Sequence, residues 1–140
     1  MKYLVDMFGI GRIKKGAGTL ASLLSAVVLF YLKSMLGWYL YTLAFMLFLP
    51  FAIKLCGEEF KVSGDAQSMV LDEFVGMASV LIFSGKVTIV KVAIGYVIFR
   101  ILDILKPWPV SYWDQDKTEV SVVADDLLAG VISGVIISFI

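Results

Sequence analysis

Five apolar runs fill most of this chain, and no water-soluble fold of its length could hide them. They are Leu20 to Leu36 (LASLLSAVVLFYLKSML), Trp38 to Ile53 (WYLYTLAFMLFLPFAI), the stretch after Asp72 and Glu73 to Phe83, Val87 to Leu105 (VTIVKVAIGYVIFRILDIL), and Val122 to the C-terminus. Hydrophobic residues make up 60% of the 140, charged residues 17%, and mean hydropathy is +0.93. A single small domain has too little interior for that much apolar surface. The expectation is one membrane-embedded domain over residues 1–140, an all-α integral membrane bundle of about four to five apolar helices. Runs of about 15 to 19 residues make helices of roughly 22–28 Å, short of a hydrocarbon core of about 30 Å. The third and fifth are therefore expected to be partly inserted, or to thin the bilayer. Pro50 near the exit of the second run predicts a kink there.

Composition also removes whole classes of chemistry. Histidine is absent, which excludes Ser-His-Asp catalysis, an imidazole base and His-ligated zinc or iron. One cysteine, Cys56, permits neither an internal disulfide nor a Cys-rich metal site, and reads as a small packing residue. Formal net charge is zero, so no global field argues for nucleic acid. What remains is carboxylates, Lys, Arg, hydroxyls and backbone amides, a set that suits a hard cation such as Mg²⁺.

If each apolar run reverses direction, the charges sort by side. The side of the N-terminus receives Lys2, Arg12, Lys14, Lys15, Lys54, Lys61, Arg100, Lys106 and Lys117, while the other receives Lys33, Lys86 and Lys91. The positive-inside rule makes the first side cytoplasmic. All 12 acids fall on that side as well. Trp38, Tyr39 and Tyr41 read as an interfacial aromatic belt, and the GxxxG from Gly130 to Gly134 as a close helix contact.

The acids are also clustered along the chain. Asp72 and Glu73 (SMVLDEFVGM) and Asp125 and Asp126 (VVADDLLAGV) each open an apolar helix. The helix dipole, with Ser68 as N-cap, accounts for one such carboxylate but hardly for two pairs. Arg100, Asp103 and Lys106 recur every three residues in FRILDILKPWP and share one broad helix face, which Pro107 and Pro109 end. Capping, an Arg100–Asp103 ion pair and a snorkelling Lys106 would explain part of this pattern. Several neighbouring carboxylates repel one another unless a cation neutralises them. A Mg²⁺ ion would do so, leaving Arg100 or Lys106 for an anionic substrate group. Ionisable groups at membrane depth are functional candidates by default.

The N-terminal FGIGRIKKGAGTLAS adds glycines, Lys15 and a helix start with Thr19 as N-cap, a reasonable phosphate cradle. Gly11 and Gly16 have P-loop spacing, but Ala17 and Gly18 replace the Lys-Ser/Thr, so nucleotide hydrolysis is rejected. DQDKT (Asp114 to Thr118) fits the DxDxT of aspartyl-phosphate-forming phosphatases but lacks their α/β surroundings. It reads as a solvated loop.

GAGTLAS (Gly16–Ser22), VLDEFVGM (Val70–Met77), FRILDILKPWPVSYWD (Phe99–Asp114) and VADDLLAGV (Val123–Val131) together resemble the phosphatidylglycerophosphatase A family, in the family's order and spacing. The resemblance runs from about Phe8 to the end of the chain. It implies a multi-pass enzyme of the bacterial inner membrane, its active site facing the cytoplasm. The implied reaction is Mg²⁺-dependent hydrolysis of phosphatidylglycerophosphate to phosphatidylglycerol and phosphate, a step of phospholipid biosynthesis. Family positions fall on Gly18, Thr19, Ser22, Asp65, Asp72, Glu73, Arg100, Asp103, Lys106, Pro107, Asp114, Asp125 and Asp126. Ala17 stands where the family pattern has proline.

On this reading Asp72, Glu73, Asp103 and Asp126 are the catalytic candidates. Asp65, Asp72, Glu73, Asp125 and Asp126 are the Mg²⁺ ligand candidates. Lys15, Thr19, Ser22, Arg100 and Lys106 would hold the substrate phosphate. The implied partners are the lipid substrate and the bilayer, with no nucleic acid. Short helices would bury themselves better in a homo-oligomer. The alternative is a small transporter whose intramembrane acids line an ion pathway, which would spread them across membrane depth.

Overall fold

The computed structural model describes residues 16–63, 70–115, 118 and 120–140, with the backbone alone at 17, 63 and 113–115. These residues are helical apart from short connections such as 84–88 and 106–109, with no strand among them. The helices are α1 (Ala17–Ser63), α2 (Leu71–Phe83), α3 (Ile89–Leu105), α4 (Val110–Gln115) and α5 (Ser121–Ser138).

α1 is two helical arms, 17–36 and 38–63, joined at Gly37, whose φ of 72° and ψ of 171° are non-helical. A positive φ is strained for residues that carry a Cβ, so glycine is the residue that allows the chain to break here. The break falls at Gly37 and not at Pro50, which lies within the second arm. The first two apolar runs of the sequence are these two arms.

Contacts along the bundle fix the direction of each segment. Gly18 lies against Glu73 and Lys33 against Leu81, so the first arm runs parallel to α2. Trp38 meets Ile82 and Tyr41 meets Ala78, so the second arm runs back. Arg100 meets Glu73 while Gly95 meets Val80, which makes α3 antiparallel to α2. In α5, Gly130 meets Gly76 and Gly134 meets Val80, a parallel pair. Successive long segments therefore alternate in direction.

α2 is the central helix, buried continuously from Val75 to Ile82. A Cβ on Gly130 would stand 2.1 Å from the Gly76 carbonyl oxygen, so backbones of α2 and α5 touch directly. This is the close packing that the GxxxG predicts. Outward residues such as Val28, Leu40, Leu47, Val90 and Val97 are each at least half exposed, which gives the bundle an apolar flank. By length and composition, α1 (Gly18–Val62) and α5 are long and apolar enough to cross a membrane. α5 has 18 residues and α2 only 13, so the third run is the short one.

One end of the bundle is closed by a cation. Lys33 is 6% exposed. Its ammonium donates to the Leu81 carbonyl, to Ser84 Oγ (3.4 Å) and to the Gly85 carbonyl (2.9 Å). The Trp38 indole N–H donates to the Ile82 carbonyl at 3.1 Å. Both satisfy carbonyls that the last turn of α2 leaves without helical partners. Of the expected aromatic belt only Tyr41 is committed to the interior, at 2% exposure; Tyr39 projects outward, and Trp38 stays 48% exposed while its N–H is tied to α2.

Candidate active site

The opposite end collects the charge, because α1, α2 and α5 start there while α3 finishes there. α2 opens after Val70, whose side chain makes no capping hydrogen bond. The expected cap, Ser68, lies outside the described residues. Asp72 instead folds back locally, its Oδ1 accepting the Glu73 N–H at 2.9 Å. In α5 the acids do not open the helix as expected, since it already starts at Ser121 and they lie past its first turn, but the local bond recurs, Asp125 Oδ1 accepting the Asp126 N–H at 3.0 Å. In each pair the first acid is held by backbone and the second projects from the next position.

Arg100 joins three helices. Its Nη1 donates to Asp103 Oδ2 at 2.6 Å and to Glu73 Oε1 at 3.3 Å, and its Nη2 donates to Thr19 Oγ1 at 3.2 Å. The Arg100 and Glu73 side chains are 15% and 13% exposed, so these charge-assisted bonds are sheltered from water. The fork shape of the guanidinium is what allows one side chain to hold all three. Thr19 is therefore not the helix cap read from sequence. The helix already begins at Ala17, and the Thr19 hydroxyl faces Arg100.

Lys106 ends α3 in the left-handed region, φ 41° and ψ 55°, with its N–H bonded to the Leu102 carbonyl at 2.8 Å. That turn directs its ammonium to Asp125 Oδ2 at 2.7 Å. It pairs across the bundle and does not snorkel, because a buried carboxylate lies within reach. Gly18 packs against Glu73 so closely that a Cβ there would stand 1.8 Å from Oε1. Ser22 is close in sequence but differently employed. Its hydroxyl donates to the Gly18 carbonyl at 2.7 Å, so its proton is spent within the helix. Lys15 and Asp65 lie outside the described residues, as does the side chain of Asp114.

The acids face one another across the helices. Asp126 and Asp103 stand at hydrogen-bonding distance. Asp72 is within electrostatic range of Asp103, Asp125 and Asp126. Two carboxyl groups at such a distance need a shared proton or a cation between them. The cluster sets five acids, Asp72, Glu73, Asp103, Asp125 and Asp126, against two cations, Arg100 and Lys106, so bound protons or a cation must make up the difference. Glu73 Oε2 and Arg100 Nε are buried with no hydrogen-bond partner among the described residues. An all-oxygen donor set with an unmatched carboxylate oxygen fits a hard divalent cation. No three of the described carboxylates converge as a ready metal cage. Glu73 and Asp103 are turned to Arg100, and Asp125 to Lys106.

One neighbour escaped sequence reading. The Tyr96 hydroxyl donates to the Thr19 carbonyl at 3.2 Å. It stands four residues before Arg100, one turn away on the same helix face, and that spacing was the available signal. Cys56, read from sequence as a packing residue, is fully buried in the core beside this end of the bundle.

Comparison with known proteins gives the family. The family model described as phosphatidylglycerophosphatase A matches residues 3–140. A protein named phosphatidylglycerophosphatase A from Escherichia coli (strain K12) is 40% identical over 136 residues, covering 95% of this chain and 78% of that relative. One of the same name from Haemophilus influenzae (strain ATCC 51907 / DSM 11121 / KW20 / Rd) is 30% identical over 133 residues, covering 93% of this chain and 82% of the relative. No solved structure matches the chain. With its four motifs converging on one end of the bundle and its sequence matched almost throughout, the chain belongs to the phosphatidylglycerophosphatase A family.

Proposed function

We propose that this chain is a Mg²⁺-dependent phosphatase that hydrolyses phosphatidylglycerophosphate to phosphatidylglycerol and inorganic phosphate. The observation that carries the reading is the Arg100 cluster. It gathers a guanidinium, a threonine hydroxyl and several buried carboxylates at one end of an apolar bundle, in a chain of this family. A lipid phosphomonoester needs that arrangement, with charge at the interface and hydrocarbon alongside.

Arg100 and Lys106 neutralise the phosphoryl oxygens, Thr19 orients one of them, and Lys15 adds charge from the N-terminal segment. Asp72, Glu73, Asp125 and Asp126, with Asp65, would hold Mg²⁺. When bound, the ion supplies Lewis-acid polarisation of the phosphoryl group and lowers the pKa of water. Glu73, whose Oε2 is unmatched among the described residues, would accept a proton from an attacking water. A proton held between Asp103 and Asp126 would pass to the departing glycerol oxygen, and the proton gained by Glu73 would leave to solvent, which reprotonates the Asp103–Asp126 pair. Phosphorus gains one oxygen from water as its ester bond breaks.

The enzyme is a multi-pass protein of the inner membrane with this end in the cytoplasm, a reading supported by the Lys and Arg excess on that side of the sequence. An ion pathway would need acids along the bundle, whereas the described acids gather at one end. The test is phosphate release from phosphatidylglycerophosphate by the purified protein, with Mg²⁺ and with a chelator. Release that requires Mg²⁺ supports the reading, and equal release under both conditions removes the metal from it.

A further inference from the structure

Beside the charged cluster runs an apolar cleft of about 670 Å³. Three helix stripes line it: Leu24, Val28 and Leu32 from the first arm, Tyr41 to Leu55 from the second, and Leu71, Phe74 and Ala78 from α2. Its floor is buried, with Leu29 at 2% and Leu55 at 3% exposure, while its rim, with Val28 at 55% and Phe51 at 51%, opens sideways. The Tyr41 hydroxyl, the polar group of this lining, is turned away to the Ala78 carbonyl.

The end of the cleft adjoins the charged cluster along the chain: Leu71 directly precedes Asp72, Phe74 directly follows Glu73, and Leu24 stands five residues after Thr19 on the same arm. From Leu55 back to Tyr41 the second arm covers about 21 Å at ~1.5 Å per residue. The acyl region of one leaflet is about 15 Å deep, half of a ~30 Å core. The volume lies within the roughly 300–1,000 Å³ of sites that enclose a small ligand.

We propose that this cleft is an acyl-chain site. It takes one hydrocarbon chain of the lipid whose phosphomonoester is held at the Arg100 cluster, and so aligns the headgroup with the acids. The inference rests on the phosphatase reading above and adds a specificity site to it. A general bilayer lipid filling the cleft is the competing occupant.

The experiment compares dioleoyl phosphatidylglycerophosphate with its deacylated, water-soluble headgroup in detergent micelles. Ala44 lines the cleft on the exposed side of the second arm, where added bulk is tolerated by the fold. Ala44→Trp should lower the ratio of kcat/KM for the long-chain over the deacylated substrate by about tenfold, equivalent to expelling roughly two methylenes of the acyl chain from the cleft. Ala44→Leu should give a smaller drop in the same direction. Leu47→Trp, on a 73% exposed position of the same arm outside the cleft lining, should leave the ratio unchanged. An unchanged ratio in Ala44→Trp, or an equal drop in Leu47→Trp, overturns the acyl site. No phosphate release from either substrate by the wild type overturns the phosphatase reading itself.

Discussion

Each end of the bundle buries a cation, and the two are satisfied differently. Lys33 has three N–H donors and meets three acceptors, all from the last turn of α2 and the loop after it. Nothing is left over. Arg100 at the other end meets Glu73, Asp103 and Thr19 from three separate segments, yet its Nε and the Glu73 Oε2 beside it have no partner among the described residues. A buried polar group that is fully matched serves the fold. One that is left unmatched costs stability, and its retention calls for another reason. Substitutions at the two ends should therefore separate activity from stability.

The largest effect is expected for Asp72→Asn, which keeps the shape of the side chain and removes its charge. Phosphate release should fall by about 10²- to 10⁴-fold, with the helical signal retained in circular dichroism. Arg100→Lys should cost on the order of 10²-fold in kcat, because an ammonium cannot hold Glu73, Asp103 and Thr19 in one plane. Gly18→Ala places a Cβ against Glu73 Oε1. It should lower kcat by about tenfold by displacing that carboxylate, with thermal stability in detergent little changed. At the other end, Lys33→Met should leave kcat near wild type and lower stability by about 1–3 kcal/mol, since the α2 carbonyls lose their donors. A loss of activity in Lys33→Met without a loss of stability would break the contrast.

The apolar runs were legible because hydrophobic burial is a property of composition and length, and each arm of α1 contains one of them, but the second arm carries on ten residues past Ile53 to Ser63. The convergence of Asp72, Arg100, Asp103 and Asp126 was legible from alternating helix direction. What failed were local caps. Thr19 reads as an N-cap, but Arg100, 81 residues away, recruits its hydroxyl. Lys106 reads as a phosphate ligand or, more plainly, a snorkelling side chain, and Asp125 accepts its ammonium. Tyr41 reads as interfacial, but it is buried, with its hydroxyl on the Ala78 carbonyl. In each case a tertiary partner outcompeted the local one, and sequence spacing carries no record of that. The cleft was hidden for a similar reason: its three stripes are ordinary apolar helix faces until Gly37 folds one arm beside the other.

If the acidic end performs the chemistry, removing one buried charge there should stop turnover and leave the bundle standing. The most direct measurement is phosphate release from phosphatidylglycerophosphate by purified Asp126→Asn beside the wild type, both in Mg²⁺. Asp126 is 4% exposed and stands at hydrogen-bonding distance from Asp103. Turnover reduced by at least about 100-fold in a folded protein is the result predicted. Turnover equal to wild type would contradict it.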